Sequence, residues 1–174
     1  MIQLDQLHKI CPYTPKHIIA PFVDPLNAAM KEFEIDQTGP REAMFIAQLC
    51  HESGGFRYVE ELASGKAYEG RKDLGNTEPG DGVRFKGRGL IQITGRENYR
   101  ACGDALGVDL LSDPALLESP DLACRSAAWF WAKHGLNELA DKGDFQHITR
   151  RINGGLNGWK DRVAFYDKAQ EVLA

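Results

Sequence analysis

Apolar residues fill almost every position from Ala43 to Cys50, a pattern that predicts a core helix rather than a surface helix with one wet face. Gly39 before Pro40 suits its N-terminus, and Gly54-Gly55 supplies a left-handed stop just beyond His51-Glu52-Ser53. A second helix is expected to open at Pro25 and run through Leu26 to Phe33. A third is expected from Leu122 to His134, capped by Ser119-Pro120 and stopped at Gly135. In that helix Ala123, Ala127, Phe130 and Trp131 recur at helical spacing, which assigns its tryptophans, Trp129 and Trp131, to core packing before any exposed stacking role. Near the C-terminus Phe165, Ala169, Val172 and Leu173 form one apolar stripe that should dock on the core. The alternation changes only at Leu90-Ile91-Gln92-Ile93-Thr94, which reads as a short strand with Gln92 and Thr94 on one face. The expected fold is mainly α, with a small β element around residues 83 to 94.

Composition narrows the class. The chain has 174 residues, 43% of them hydrophobic, enough for a sizeable core in one domain spanning 1–174. It contains no run of eighteen apolar residues, so no spanning helix and no stable membrane association are expected. Met1 to Lys9 lacks the basic start and apolar core of a secretory signal. A formal net charge of -4 argues against general nucleic-acid binding. Local basic clusters remain: Lys86, Arg88 and Arg96 form one, and Arg150, Arg151 and Arg162 another, each able to meet an anionic partner or merely to face solvent. Cys11, Cys50, Cys102 and Cys124 are too dispersed for a metal knuckle and are expected as buried free thiols. His51-Glu52 is not followed by a second histidine at zinc-peptidase spacing, so His51 is expected to hydrogen-bond beside the acid.

The candidate chemistry lies where the core helix stops. Glu52 sits in its last turn, where apolar surroundings and the negative helix end should both disfavour its charge and raise its pKa, the property of a general acid. Glu60-Glu61 follows. On one continuous helix Glu61 would stand half a turn out of phase with Glu52 and roughly 13 Å along the axis. The glycine pair lets the chain fold back instead, so that two carboxylates could face each other across a groove. A gap of roughly 6.5 to 9.5 Å would admit a water for an inverting attack on a glycosidic bond. If the segment is extended, only one of Glu60 and Glu61 can face that groove. Gln92 and Thr94 could hold a water and a sugar hydroxyl, or form an idle edge strand. Tyr58 and Tyr68, beside the acids, are candidate sugar platforms. The glycines of 80–89 follow neither the dinucleotide fingerprint nor the Walker spacing.

In three ordered stretches the chain resembles family 19 glycoside hydrolases, in particular phage and prophage endolysins related to plant-type chitinases. They are Ala47-Gln48-Leu49-Cys50-His51-Glu52-Ser53-Gly54-Gly55-Phe56, the segment from Phe85 through Ile91-Gln92-Ile93-Thr94 to Tyr99, and Arg151-Ile152-Asn153-Gly154-Gly155. The likeness spans roughly residues 40 to 166. It implies a lysozyme-like, two-lobed helical domain whose small β element lines a groove. It implies Glu52 as proton donor and Glu61 as the carboxylate that activates water, with Glu60 its neighbouring alternative. It further implies Thr94 as the residue that helps position this water, and Gln92, Asn98, Asn153 and Arg162 as substrate-binding residues. No metal or organic cofactor is implied. A compact Tyr68 to Thr77 segment stands where plant-type chitinases carry longer loops and disulfides, and this favours the peptidoglycan-cleaving branch. The resemblance then implies a monomer held in the host cytoplasm until a holin lesion releases it to the periplasm and cell wall. The alternatives are a true chitinase and a non-catalytic glycan-binding protein.

Overall fold

Ten α-helices carry the chain in the computed structural model, which describes residues 1–174: α1 Leu4–Ile10, α2 Lys16–Ile19, α3 Val23–Glu32, α4 Gly39–Glu52, α5 Asp81–Arg84, α6 Arg96–Leu106, α7 Pro120–Lys133, α8 Leu136–Asp141, α9 Phe145–Asn153 and α10 Trp159–Leu173. The apolar run places α4 where it was expected. Thr38 caps it by accepting from the Arg41 amide, Pro40 sits in its first turn, and every residue from Ala43 to Cys50 is buried. Met44, Phe45, Ile46 and Leu49 each contribute roughly 1.5–3 kcal/mol by leaving water.

Around α4 gathers the larger of two apolar cores, fed by α1, α3, α7, α8, α9 and α10. The C-terminal stripe docks as the sequence predicts, with α10 lying along α4. Ser119 accepts from the Leu122 amide to start α7, which stops at Gly135. The helix at Pro25 begins earlier, at Val23, with the proline in its first turn. The smaller core joins Phe85 and Ile93 to Tyr99, Cys102 and Leu106 of α6, and Phe33 and Phe130 pack against both cores. Two cores joined through α7 make the two-lobed, mainly helical arrangement. No helix is long and apolar enough to cross a membrane.

The strand expected at Leu90 to Thr94 is replaced by a tight loop held by two isolated antiparallel bridges, Glu60 with Arg88 and Arg88 with Ile93. Gly89 and Gln92 both take positive φ, so the segment cannot stay extended. Its apolar residues also do not share a face: Leu90 is buried in the large core and Ile93 in the small one. The alternation therefore marked a chain pinned between two lobes.

Two of the four cysteines depart from expectation. Cys11, just past α1, and Cys50, in the last turn of α4, form a disulfide across a separation of 39 residues. Loop folding brings together what spacing alone left apart. Cys102 and Cys124 are free and buried, and burial pushes the Cys102 thiol up to about 12.

Candidate active site

The helix end is reversed around the Ser53 side chain and two glycines. Ser53 Oγ donates to the Leu49 carbonyl at 2.6 Å and accepts from the Phe56 amide at 2.8 Å, while Gly54 and Gly55 take positive φ. A Cβ on Gly55 would strike the Thr14 hydroxyl. Beyond the turn the chain runs beside the 87–89 loop: Gly89 donates to the Val59 carbonyl at 2.8 Å and Glu61 to the Gly87 carbonyl at 2.9 Å.

Two consecutive residues of α10 clamp two consecutive residues of α4. Asp161 Oδ2 lies 2.6 Å from His51 Nδ1, with the imidazole seated against Gly158, where a Cβ would overlap it. Arg162 Nη2 lies 2.6 Å from Glu52 Oε1, and the arginine is 1% exposed against 25% for the Glu52 side chain. The apolar surroundings expected around Glu52 are thus interrupted by a guanidinium. Arg162, expected among the substrate-binding residues, is turned inward. Its Nε donates to the Asn157 carbonyl at 3.0 Å and its Nη1 to Gln48 Oε1 at 2.5 Å. Gln48 Nε2 donates in turn to Thr149 Oγ1 at 2.9 Å.

Glu60 and Glu61 point into different surroundings. Glu60 pairs with Lys86, whose ammonium holds the carboxyl below the usual carboxylate range. Glu61 accepts from the Gly87 amide at 2.6 Å and from the Tyr68 hydroxyl at 3.1 Å. Tyr68 is therefore tied to Glu61 by its hydroxyl, and burial, then this bond, pushes its phenol pKa up. Gly87 links Glu61 to the next pair, since a Cβ there would lie 3.1 Å from Gln92 Oε1 and 3.2 Å from Thr94 Oγ1. Gln92 and Thr94 therefore share a side, as predicted, although the backbone that presents them is a loop. They line a crevice of about 270 Å³ with Leu74, Asn98, Trp129 and Lys133. Asn98 also donates to the Thr94 carbonyl at 2.8 Å. Trp131 is core, as spacing predicted, whereas Trp129 is half-buried and lines this crevice.

The remaining candidates lie elsewhere. Tyr58 lines a separate crevice with Tyr13, His51 and Asp161, and Asn153 ends α9 with its Oδ1 accepting from the Asn157 amide. The basic cluster near the acids is neutralised within the protein, through Lys86 with Glu60, Arg88 with Glu118 and Arg96 with the buried Asp81. In the last third Arg162 is buried, Arg151 donates to the His134 carbonyl and Arg150 is exposed. Sequence reasoning passed over Gln48 and Thr149. The available signal was Gln48 itself, an amide in an otherwise apolar helix, which must find a buried partner.

The family 19 glycoside hydrolase profile described as Chitinase class I matches residues 37–140. A Haemophilus influenzae protein described as containing a glycosyl hydrolase family 19 domain is 35% identical over 157 residues, covering 72% of this chain and 76% of that protein. An Arabidopsis thaliana endochitinase is 44% identical over 114 residues, 65% of this chain, and the match spans only 39% of the plant protein. Among solved structures, a bacterial family 19 chitinase superposes with a TM-score of 0.83 at 24% identity, covering 99% of this chain and 95% of its own.

Proposed function

The chain belongs to the family 19 glycoside hydrolases, and from that premise we propose that it is a lysozyme-type lysin that cleaves β-1,4 bonds between N-acetylmuramic acid and N-acetylglucosamine in peptidoglycan. The observation that carries the reading is the different support of the two carboxylates. Glu52 stands at the end of a rigid buried helix, braced by Arg162, while Glu61 is held by the Gly87 amide and the Tyr68 hydroxyl next to Gln92 and Thr94. In this mechanism Glu52 protonates the glycosidic oxygen. Glu61, whose oxygens keep lone pairs beyond the two bonds they accept, takes a proton from water. Thr94 Oγ orients that water, and attack from the opposite face inverts the anomeric carbon. Gln92, Asn98 and the Trp129 face offer amides and an aromatic surface to the N-acetyl sugars. Glu60 pairs with Lys86 instead, which supports Glu61 as the base in this reading.

The peptidoglycan assignment draws on the short 68–77 segment. Asn76 donates to the Tyr68 carbonyl and accepts from the Arg96 amide, which holds the segment close to the Glu61 that Tyr68 contacts. The disulfide suits an oxidising compartment outside the cytoplasm, reached in this reading through a holin lesion. A second reading, chitin cleavage, is favoured by the similarity to plant endochitinases. Purified Gram-negative sacculi and colloidal chitin separate the two. A lysin clears sacculi, releases products ending in N-acetylmuramic acid and yields them first as the α-anomer by NMR. Soluble products from chitin alone would replace it with the chitinase reading, and β-anomers would overturn the inverting mechanism.

A further inference from the structure

We propose that Gln48 and Thr149 are positioning residues for the reaction, acting on Glu52 through Arg162; this rests on the reading of Glu52 as the proton donor. The contact between Glu52 and Arg162 does not fix itself. Nη2 is 2.6 Å from Oε1 but off the line of a hydrogen bond, and this buried oxygen has no hydrogen-bonding partner. The guanidinium is located from its other side, by its bonds to the Asn157 carbonyl and to Gln48 Oε1.

Gln48 can present oxygen to Arg162 only if its NH₂ has an acceptor, and Thr149 supplies it. The Thr149 hydroxyl donates to the Phe145 carbonyl at 2.9 Å, so toward Gln48 the same oxygen can only accept. The order of donors and acceptors is thereby forced as far as the guanidinium: Phe145 carbonyl, Thr149 hydroxyl, Gln48 amide, Arg162 guanidinium, which then meets Glu52 Oε1 as an ion-pair contact. A flipped Gln48 amide would turn donors onto a cation that cannot accept. All three intermediate side chains are buried, where no water stands in for a lost partner. Gln48 lies four residues before Glu52, on the same face of α4, so Arg162 spans one helical turn between them.

The test uses Thr149→Val, which keeps the shape and removes the acceptor, Thr149→Ser, which restores it, and Gln48→Leu. Each is assayed on solubilised peptidoglycan strands or an N-acetylglucosamine hexamer, whichever the wild type cleaves, with melting curves to confirm folding. Thr149→Val and Gln48→Leu are expected to lower kcat about 10–100-fold with KM within about twofold, as for a misplaced reacting group. Thr149→Ser is expected to recover kcat to within about threefold of wild type. An unchanged kcat in folded Thr149→Val, a loss confined to KM, or a Thr149→Ser variant as impaired as the valine would each overturn the proposal. Should Gln48→Leu fail to fold, the Thr149 pair decides alone. Glu52→Gln is run beside them: inactive Glu52→Gln with fully active Thr149→Val defeats only this inference, whereas active Glu52→Gln defeats the donor assignment beneath it.

Discussion

Glu60 and Glu61 are adjacent in the chain and meet different partners, because an extended segment sends neighbouring side chains to opposite sides. Glu60 meets Lys86 and Glu61 meets the Gly87 amide and Tyr68. Glu61→Ala is expected to reduce turnover by about 10²–10⁴-fold, as loss of a general base does, while Glu60→Ala, 41% exposed and outside the chemistry, stays within a few-fold. Steady-state rates of the two variants check this, and equal losses would refute the division. Asp81 makes a different prediction, about stability. It is buried, receives both Nε and Nη2 of Arg96 at 2.8 Å, and is held below its usual pKa first by that hydrogen bonding. A lowered folded pKa means its stabilisation is complete above the ordinary value near 3.8 and is lost as pH falls from there through the folded value. Asp81→Asn should therefore cost about 2–3 kcal/mol at pH 7, with the gap to wild type narrowing in denaturant titrations as pH falls below the ordinary carboxyl value. Glu52 and the Glu60-Glu61 pair were legible because they lie next to a readable helix stop. The Arg162 contact was not, because nothing local links residues 110 positions apart, and it turned a presumed sugar ligand into the brace of the acid.

Among the elements, α4 was the easiest to read and the 88–93 loop the hardest. An apolar run between a proline and two glycines has one sensible outcome, a buried helix. Alternating residues in a five-residue stretch have two, and positive φ at Gly89 and Gln92 selected the loop over the strand. The Cys11–Cys50 bond was hidden for a similar reason, since pairing depends on how α1 packs near α4 and α10. It closes a span that in the chain-entropy account confers about 2–4 kcal/mol. Reduced wild type and Cys11→Ser should melt at the same lowered temperature, with the serine variant insensitive to reductant. A melting temperature unmoved by reductant in wild type would exclude the bond in solution.

At the scale of the molecule, the two apolar cores place the two carboxylates on separate supports. Glu52 ends a helix of the large core, and Glu61 hangs on the loop that Phe85 and Ile93 anchor in the small one. The mainly helical class was legible from helix patterning. The division into two cores required knowing that Leu90 and Ile93 bury in different places. In the function proposed above, Glu52 is the acid of a glycan hydrolase. Reducing-end release from purified sacculi and from chitin by wild type and by Glu52→Gln, with melting curves recorded on both, decides that role. Release from at least one glycan by wild type is expected, with a loss of about 100-fold or more in the variant at an unchanged fold. A folded Glu52→Gln protein that releases reducing ends at the wild-type rate would contradict it.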